Sequence, residues 1–180
     1  HIRLAGLPQM WEHTLTVSSL SKTYSITGWR LGFLIGPAAA VEAARKVHDF
    51  LTVGAAAPLQ AAALPGLLAQ EDYYRELAAL YTAKKALFLS GLDRLGLPHN
   101  DPQGTYFVLL DISDFLSRAR FAGMDGLDFC EWMTREIGVA AVPGSSFFPD
   151  SRGDGLIRLH FARSDDSLRE ALKRLEKLVS

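Results

Sequence analysis

The sequence predicts an α/β chain in which a short piece of sheet precedes a self-contained α+β half. Three observations point there. Two strand-like segments, Leu15–Ser19 and Trp29–Gly36, crowd the start of the chain; a long Ala-, Leu-, Glu- and Lys-rich run covers Glu71 to Leu95; and beyond it strand and helix patterns alternate to the end.

Leu15–Ser19 is rich in β-branched residues and ends in small polar ones, as a strand entering a turn does. Trp29–Gly36 is nearly continuous in apolar character, which predicts a strand buried on both faces. After Pro37, Ala38 to Phe50 predicts a helix with Val41, Ala44, Val47 and Leu51 on one side. Gly54 and Pro58 interrupt the alanine-rich stretch that follows. Leu59 to Leu68 predicts a helix kinked at Pro65. The Glu71–Leu95 helix carries Leu77, Leu80, Tyr81, Lys84 and Leu87 at helical spacing, with Gly96 and Pro98 to end it. Tyr106–Leu110 reads as a strand and Leu127–Ile137 as a helix stopped by Gly138. Val139–Val142 is extended, Pro143-Gly144 turns, and Leu156–Phe161 is a strand. A closing helix starts at Ser164-Asp165, with Leu168, Leu172, Leu175 and Val179 as its apolar stripe. The first two strands have no predicted partners beyond each other. Their edges call for a cover supplied by upstream sheet or by another chain.

At 180 residues the chain can hold one good core, or one small domain plus a piece of another. Lys plus Arg (19) nearly cancels Asp plus Glu (20), which argues against a nucleic-acid or anionic-membrane surface. The single cysteine, Cys130, excludes an internal disulfide framework. No apolar run approaches the ~20 residues of a membrane span and no signal peptide opens the chain, so a cytoplasmic location is expected. The first residue is His1 rather than Met, which fits processing or an imposed boundary.

The chemistry concentrates in the turn between the first two strands. Lys22 sits among the hydroxyls of Ser19, Ser21, Thr23 and Ser25, with Arg30 at the start of the next strand. A lysine on a rigid turn can form a Schiff base with an aldehyde once its amine is deprotonated. Hydroxyls and a guanidinium suit a phosphate. Gly28 and Gly32 would admit a close backbone approach or bend a crowded sheet. Spacing alone does not separate this reading from a surface lysine in a serine-rich loop. In the strand Ile157–Phe161, alternation puts Ile157, Leu159 and Phe161 on one face and Arg158 and His160 on the other. Alternation alone favours an outward-facing arginine, although a guanidinium on a rigid strand is also what bidentate carboxylate recognition needs.

Other groups carry less. His1, His13, His48, His99 and His160 show no metal-ligand spacing, so no metal site is expected. Gly144-Ser145-Ser146 lacks the surroundings of a nucleophile elbow. Trp11, Trp29 and Trp132 read as packing residues, and Asp111, Asp114, Asp165 and Asp166 as turn and cap residues.

Ser19-x-Ser21-Lys22 followed by Gly28-x-Arg30-x-Gly32 resembles the cofactor-lysine signature of the class I/II, fold type I pyridoxal-phosphate aminotransferases. The fuller Thr23-Tyr24-Ser25-x-Thr27-Gly28-Trp29-Arg30-x-Gly32 is most similar to the kynurenine, glutamine and methionine aminotransferase branch. The resemblance continues through Gly104-Thr105-Tyr106-Phe107, Pro143–Phe147 and Ile157–Ala162, so it spans essentially the whole chain. It implies pyridoxal 5'-phosphate as cofactor, amino acid and 2-oxo acid substrates, and a homodimer when full length. Lys22 would be the lysine that bonds the cofactor and carries the substrate α-proton. Ser19 and Arg30, with Ser21 as a further helper, would hold the cofactor phosphate. Arg158 would clamp the substrate carboxylate, Tyr106 would line the same cleft, and Pro143–Phe147 would shape its entrance.

On this resemblance residues 1–55 are the end of the cofactor-binding large domain, 56–70 an interdomain segment and 71–180 a small C-terminal domain. The family's residues that hold the cofactor ring lie upstream of its lysine strand, so the chain is expected to be an incomplete, inactive C-terminal part. A C–S β-lyase or an aminocyclopropane-carboxylate synthase would keep the same Lys22, Arg30 and Arg158. A non-catalytic stand-alone domain is the reading from outside enzymology.

Overall fold

A computed structural model describes residues 2–180 and divides them into two compact units, the first through Tyr73 and the second from Tyr74 to the C-terminus. In the first unit, β1 (Thr16–Ser19) pairs antiparallel with β2 (Gly32–Ile35), Ser18 lying opposite Phe33 and Ser19 opposite Gly32. The close approach requires glycine, because a Cβ on Gly32 would stand 2.6 Å from the Ser18 carbonyl oxygen. Helices α1 (Ala38–Thr52) and α2 (Ala57–Leu67) follow, α2 with Pro65 inside it.

The expected burial of the second strand on both faces is not observed. The segment 29–31 leaves the sheet: Thr27–Trp29 forms a 3-10 turn, Arg30 is left-handed, and only Gly32–Ile35 pairs. Phe33 (38% exposed) and Ile35 (46%) remain open, because a two-stranded ribbon offers no neighbouring layer to cover them. The predicted α1 stripe is also largely open: Val41 and Ala44 are half-buried, whereas Val47 and Leu51 are exposed. What core the unit has is small, with Leu20, Leu31 and Ala63 buried and Tyr24, Ile26, Trp29 and Leu59 packed around them.

The second unit is built differently. Helix α3 (Glu71–Arg94), within which the two units divide, buries Phe88, Leu89, Gly91 and Leu92 in its last turns, whereas Leu80 from the predicted stripe is exposed. Strand β3 (Phe107–Asp111) is followed by a short α4 (Ser113–Leu116) that the sequence did not announce. Helix α5 (Gly126–Trp132) starts at a capping box, in which the Asp125 carboxylate accepts from the Leu127 and Asp128 N–H groups and the Asp125 N–H donates to Asp128. The predicted single helix to Ile137 changes pitch, since Met133–Ile137 is π-helical before left-handed Gly138 ends it.

Strands β4 (Val142–Pro143) and β5 (Leu156–His160) complete an antiparallel sheet in the order β3-β5-β4. The terminal helix α6 (Asp165–Val179) is capped by Ser164, whose hydroxyl accepts from the Ser167 N–H. Its buried stripe is Leu168, Leu172, Leu175 and Leu178; Val179, expected there, is 41% exposed. A step of three rather than four residues keeps the last contact on the core side. Lys84 on α3 ties down the start of α6 by donating to the Arg163 carbonyl (2.7 Å) and pairing with Asp165 (2.9 Å). One continuous core joins α3, the sheet, α5 and α6, with Phe129, Met133, Ile157 and Leu175 fully buried at its centre. No described helix is long and apolar enough to cross a membrane.

Candidate functional site

The chain's candidate residues fall into two groups, one in each unit. The first occupies the loop from β1 to β2. Ser19 ends β1, where its hydroxyl receives the Ser21 N–H (3.0 Å) and donates at 3.4 Å to the Leu31 carbonyl. The turn starts at buried Leu20, whose N–H reaches the Leu31 carbonyl (3.1 Å) and so closes the base of the loop. Ser21 is buried (6% exposed), and its carbonyl accepts from the Thr27 hydroxyl (3.1 Å). Lys22 follows directly and projects from the turn as an exposed side chain, with no carboxylate partner among the described residues.

Arg30 is held at the far end. Its guanidinium donates to the Thr27 carbonyl (3.0 Å), and its backbone is left-handed (φ 56°). Ser25, midway round the loop, is left-handed too (φ 57°). A non-glycine residue in this region costs about 1–2 kcal/mol, so two of them in one loop store backbone strain beside the lysine. The loop is braced from α2: Ala63 packs on Leu20 and Leu31, and Gly66 lies against the Tyr24 ring, which stacks on Tyr73 at 5.9 Å.

The second group lies on the outer face of the three-stranded sheet. Arg158 is on the central strand β5, opposite Leu109 of β3 on one side and Val142 of β4 on the other. Ile157 and Leu159, on the alternate face, are buried, so the expected alternation holds and turns Arg158 away from the core. Its guanidinium carbon stands 4.0 Å from the centroid of the Phe107 ring and 4.1 Å from that of Phe147. Phe107 is the diagonal cross-strand neighbour of Arg158.

Phe147 arrives from the 3-10 turn Gly144–Ser146, its N–H donating to the Gly144 carbonyl (2.8 Å). That turn presses so closely on Gly153 that a Cβ on Gly144 would stand 2.4 Å from the Gly153 carbonyl oxygen. Tyr106 stacks on Tyr81 (5.6 Å) and tilts against Phe107 (4.7 Å). Thr105 before it is left-handed (φ 63°), a strained setting for a β-branched residue. His160 shares the face of Arg158, and burial together with the Arg163 and Arg158 charges lowers its pKa. Cys130 is buried in the core, where desolvation, aided by Asp125, pushes its thiol up to about 11 and leaves it unreactive.

Phe107, Phe147 and Thr27 are the contacts that sequence reading did not assign to the candidate cations. The only signal was that all three fell inside stretches already singled out. A cavity of about 730 Å³ in the first unit is lined by Leu20, Leu31, Gly32 and Phe33, by residues of α1 and α2 that include Arg45, Lys46, His48, Asp49 and Ala63, and by the loop between those helices. None of Ser19, Ser21, Lys22 or Arg30 lines it, so this groove does not coincide with the polar loop.

The family described as aminotransferase class I and II matches residues 4–175. Among similar proteins, the methionine aminotransferase of Escherichia coli K12 is 36% identical over 99% of this chain and 45% of its own length. The kynurenine–oxoglutarate transaminase of Dictyostelium discoideum is 36% identical over 99% and 44%. Among solved structures, the Escherichia coli protein YbdL, reported with a methionine aminotransferase function, superposes with a TM-score of 0.86 at 36% identity, covering 98% of this chain and 45% of that one. An N-succinyldiaminopimelate aminotransferase from Mycobacterium tuberculosis gives 0.84 at 33% identity, covering 99% and 45%. The fold is therefore that of the C-terminal part of a fold type I pyridoxal-phosphate aminotransferase. The chain belongs to the class I and II aminotransferase family, and it spans about 45% of the length of the relatives it matches.

That family's cofactor is an aldehyde carrying a phosphate, and the residues present suit it. The Lys22 loop offers a primary amine free of any ion pair among the described residues, the hydroxyl of Ser19 and the remaining N–H groups of Arg30, all on one short loop.

Proposed function

We propose that the intact protein moves an amino group from an L-amino acid to a 2-oxo acid with pyridoxal 5'-phosphate as cofactor. Residues 1–55 would supply the cofactor side, 56–70 the connection and 71–180 the side that receives the substrate carboxylate. In this reading Ser19 and Arg30, aided by Ser21, bind the cofactor phosphate, and Lys22 bonds its aldehyde when no substrate is present. When bound, pyridoxal phosphate supplies an aldehyde that takes up the amino group and a ring that draws electrons from the α-carbon.

The protein's own residues do the rest. The Lys22 amine, exposed and without an anionic partner among the described residues, takes the proton from the substrate α-carbon and returns it for the second substrate. Arg158 receives the α-carboxylate through a bidentate pair of N–H bonds and so fixes which α-carbon bond faces the cofactor. Tyr106, stacked on Tyr81, walls the same region.

The observation that carries the reading is the Lys22–Arg30 loop, which puts an amine without an ion pair, a hydroxyl and a guanidinium on one short stretch of a chain matched to the family over residues 4–175. The transaminase names of its relatives favour group transfer over lyase chemistry. The 180 residues by themselves are proposed to turn over nothing: Lys22 and Arg30 are exposed, and Val17 (79%) and Ile35 (46%) are open to solvent. A homodimer in the cytoplasm completes the proposal, and exposed Phe50 (92%) and Leu51 (76%) are apolar surface that assembly would cover.

The test is the Lys22→Ala variant of the intact protein, assayed for amino transfer between several amino acids and a 2-oxo acid. A fall in kcat of at least about a hundredfold with unchanged thermal unfolding is expected. Retained amino transfer would refute the reading, and ammonia and pyruvate released from cystathionine by the unmutated protein would replace it with the lyase.

A further inference from the structure

The half-buried Arg158 side chain makes no hydrogen bond or ion pair to another described residue; its described partners are the rings of Phe107 and Phe147. At 4.0 and 4.1 Å from the guanidinium carbon, both rings are in van der Waals contact with the cation. The two rings make no stacking contact with each other, so they meet the guanidinium from different directions. Both are mechanically fixed: Phe107 by its place on β3 and its contact with Tyr106, Phe147 by the tight Gly144–Gly153 turn.

We propose that Phe107 and Phe147 form an aromatic clamp that holds the Arg158 guanidinium in one orientation, which makes them positioning residues for the substrate carboxylate. The inference rests on the reading of Arg158 as the carboxylate-binding group and goes beyond it. Unclamped, an arginine side chain samples several rotamers, and each bound carboxylate must select one. The ring faces attract the cation electrostatically without competing for its N–H groups, so the fork stays available for an incoming anion. The α-carboxylate is common to every amino acid and 2-oxo acid, so the clamp acts alike on all of them. It sets affinity for the shared end of the substrate and leaves side-chain selection alone.

The experiment uses the intact protein loaded with cofactor and compares Phe107→Leu and Phe147→Leu, which keep apolar bulk but lose the ring face, with Phe147→Tyr, which keeps it. Each leucine variant is expected to raise KM about tenfold for the amino donor and the oxo acid alike, by a similar factor for small and aromatic donors. In the same variants kcat changes less than about twofold, and Phe147→Tyr stays within about twofold of the parent. Arg158→Ala is the control for the underlying reading. If it leaves KM unchanged, the carboxylate assignment itself fails. If it raises KM while both leucine variants do not, the assignment stands and the clamp is overturned. A KM rise confined to one class of donor would also overturn the clamp, because it would make the rings a side-chain pocket.

Discussion

The Lys22 loop and the Arg158 strand present similar cations in opposite mechanical settings. Arg158 stands on the middle strand of a three-stranded sheet whose other face is sealed by a continuous core, and two rings flank its head. Lys22 stands on a loop of a two-stranded ribbon, over a core in which only Leu20, Leu31 and Ala63 are buried among apolar residues. The Arg158 group is held by its own unit. The Lys22 group is held by local hydrogen bonds against backbone strain at Ser25 and Arg30, a setting in which a bound ligand contributes to order.

The contrast predicts unequal responses to truncation. Phe129→Ala, at a fully buried position in the second unit, should cost about 3–5 kcal/mol in denaturant unfolding. Leu31→Ala, in the thin core beneath the lysine loop, should cost about 2–3 kcal/mol, since an open site relaxes into the space left behind. Equal costs would erase the distinction between the two units. Gly32→Ala should be nearly as damaging, at about 1–3 kcal/mol, because its methyl would press on the Ser18 carbonyl and part β1 from β2; hydrogen exchange at Ser18 and Ser19 would report it.

A smaller effect separates stability from function. Arg30→Gly relieves a left-handed arginine and should stabilise the chain by about 1 kcal/mol while weakening binding of pyridoxal phosphate, read from its absorbance. Loss of stability and affinity together would mean that the strain is not stored there. The smallest effect is on pH. The folded state holds the His160 pKa below its ordinary value, so between the two values the unfolded chain binds more protons. His160 therefore leaves stability intact above about pH 6.5 and subtracts from it as pH falls through that range. His160→Gln should flatten this part of the pH–stability curve.

Much of the second unit was legible from periodicity. Strand alternation at Ile157–Phe161 and the amphipathic pattern of the last helix follow from side-chain geometry alone, and they hold except for the exchange of Val179 for Leu178 at the helix end. The first unit was less legible because its apolar segments imply neighbours that the described residues do not provide, so Phe33 and Ile35 read as buried and lie open. Trp29 and Arg30 have strand-like composition, yet the Thr27 carbonyl holding the Arg30 guanidinium and the left-handed Arg30 backbone take them out of the sheet. The π-helical turn at Met133–Ile137 has no compositional mark that separates it from an α-helix. Of the candidate sites, Ser19, Ser21, Lys22 and Arg30 are neighbours because the chain makes them so. The meeting of Phe107, Phe147 and Arg158 depends on strand register and on a turn distant in sequence, which no local pattern encodes.

The claim that the Lys22 loop is built to bond a phosphate-bearing aldehyde is tested most directly by trapping the bond. The intact protein would be equilibrated with pyridoxal phosphate, reduced with borohydride, and mapped by peptide mass spectrometry. A pyridoxyl group confined to Lys22, and lowered in yield by Arg30→Gly, is the predicted result. No adduct, or labelling scattered over Lys46, Lys85 and other surface lysines, would contradict the assignment of this loop as the cofactor site.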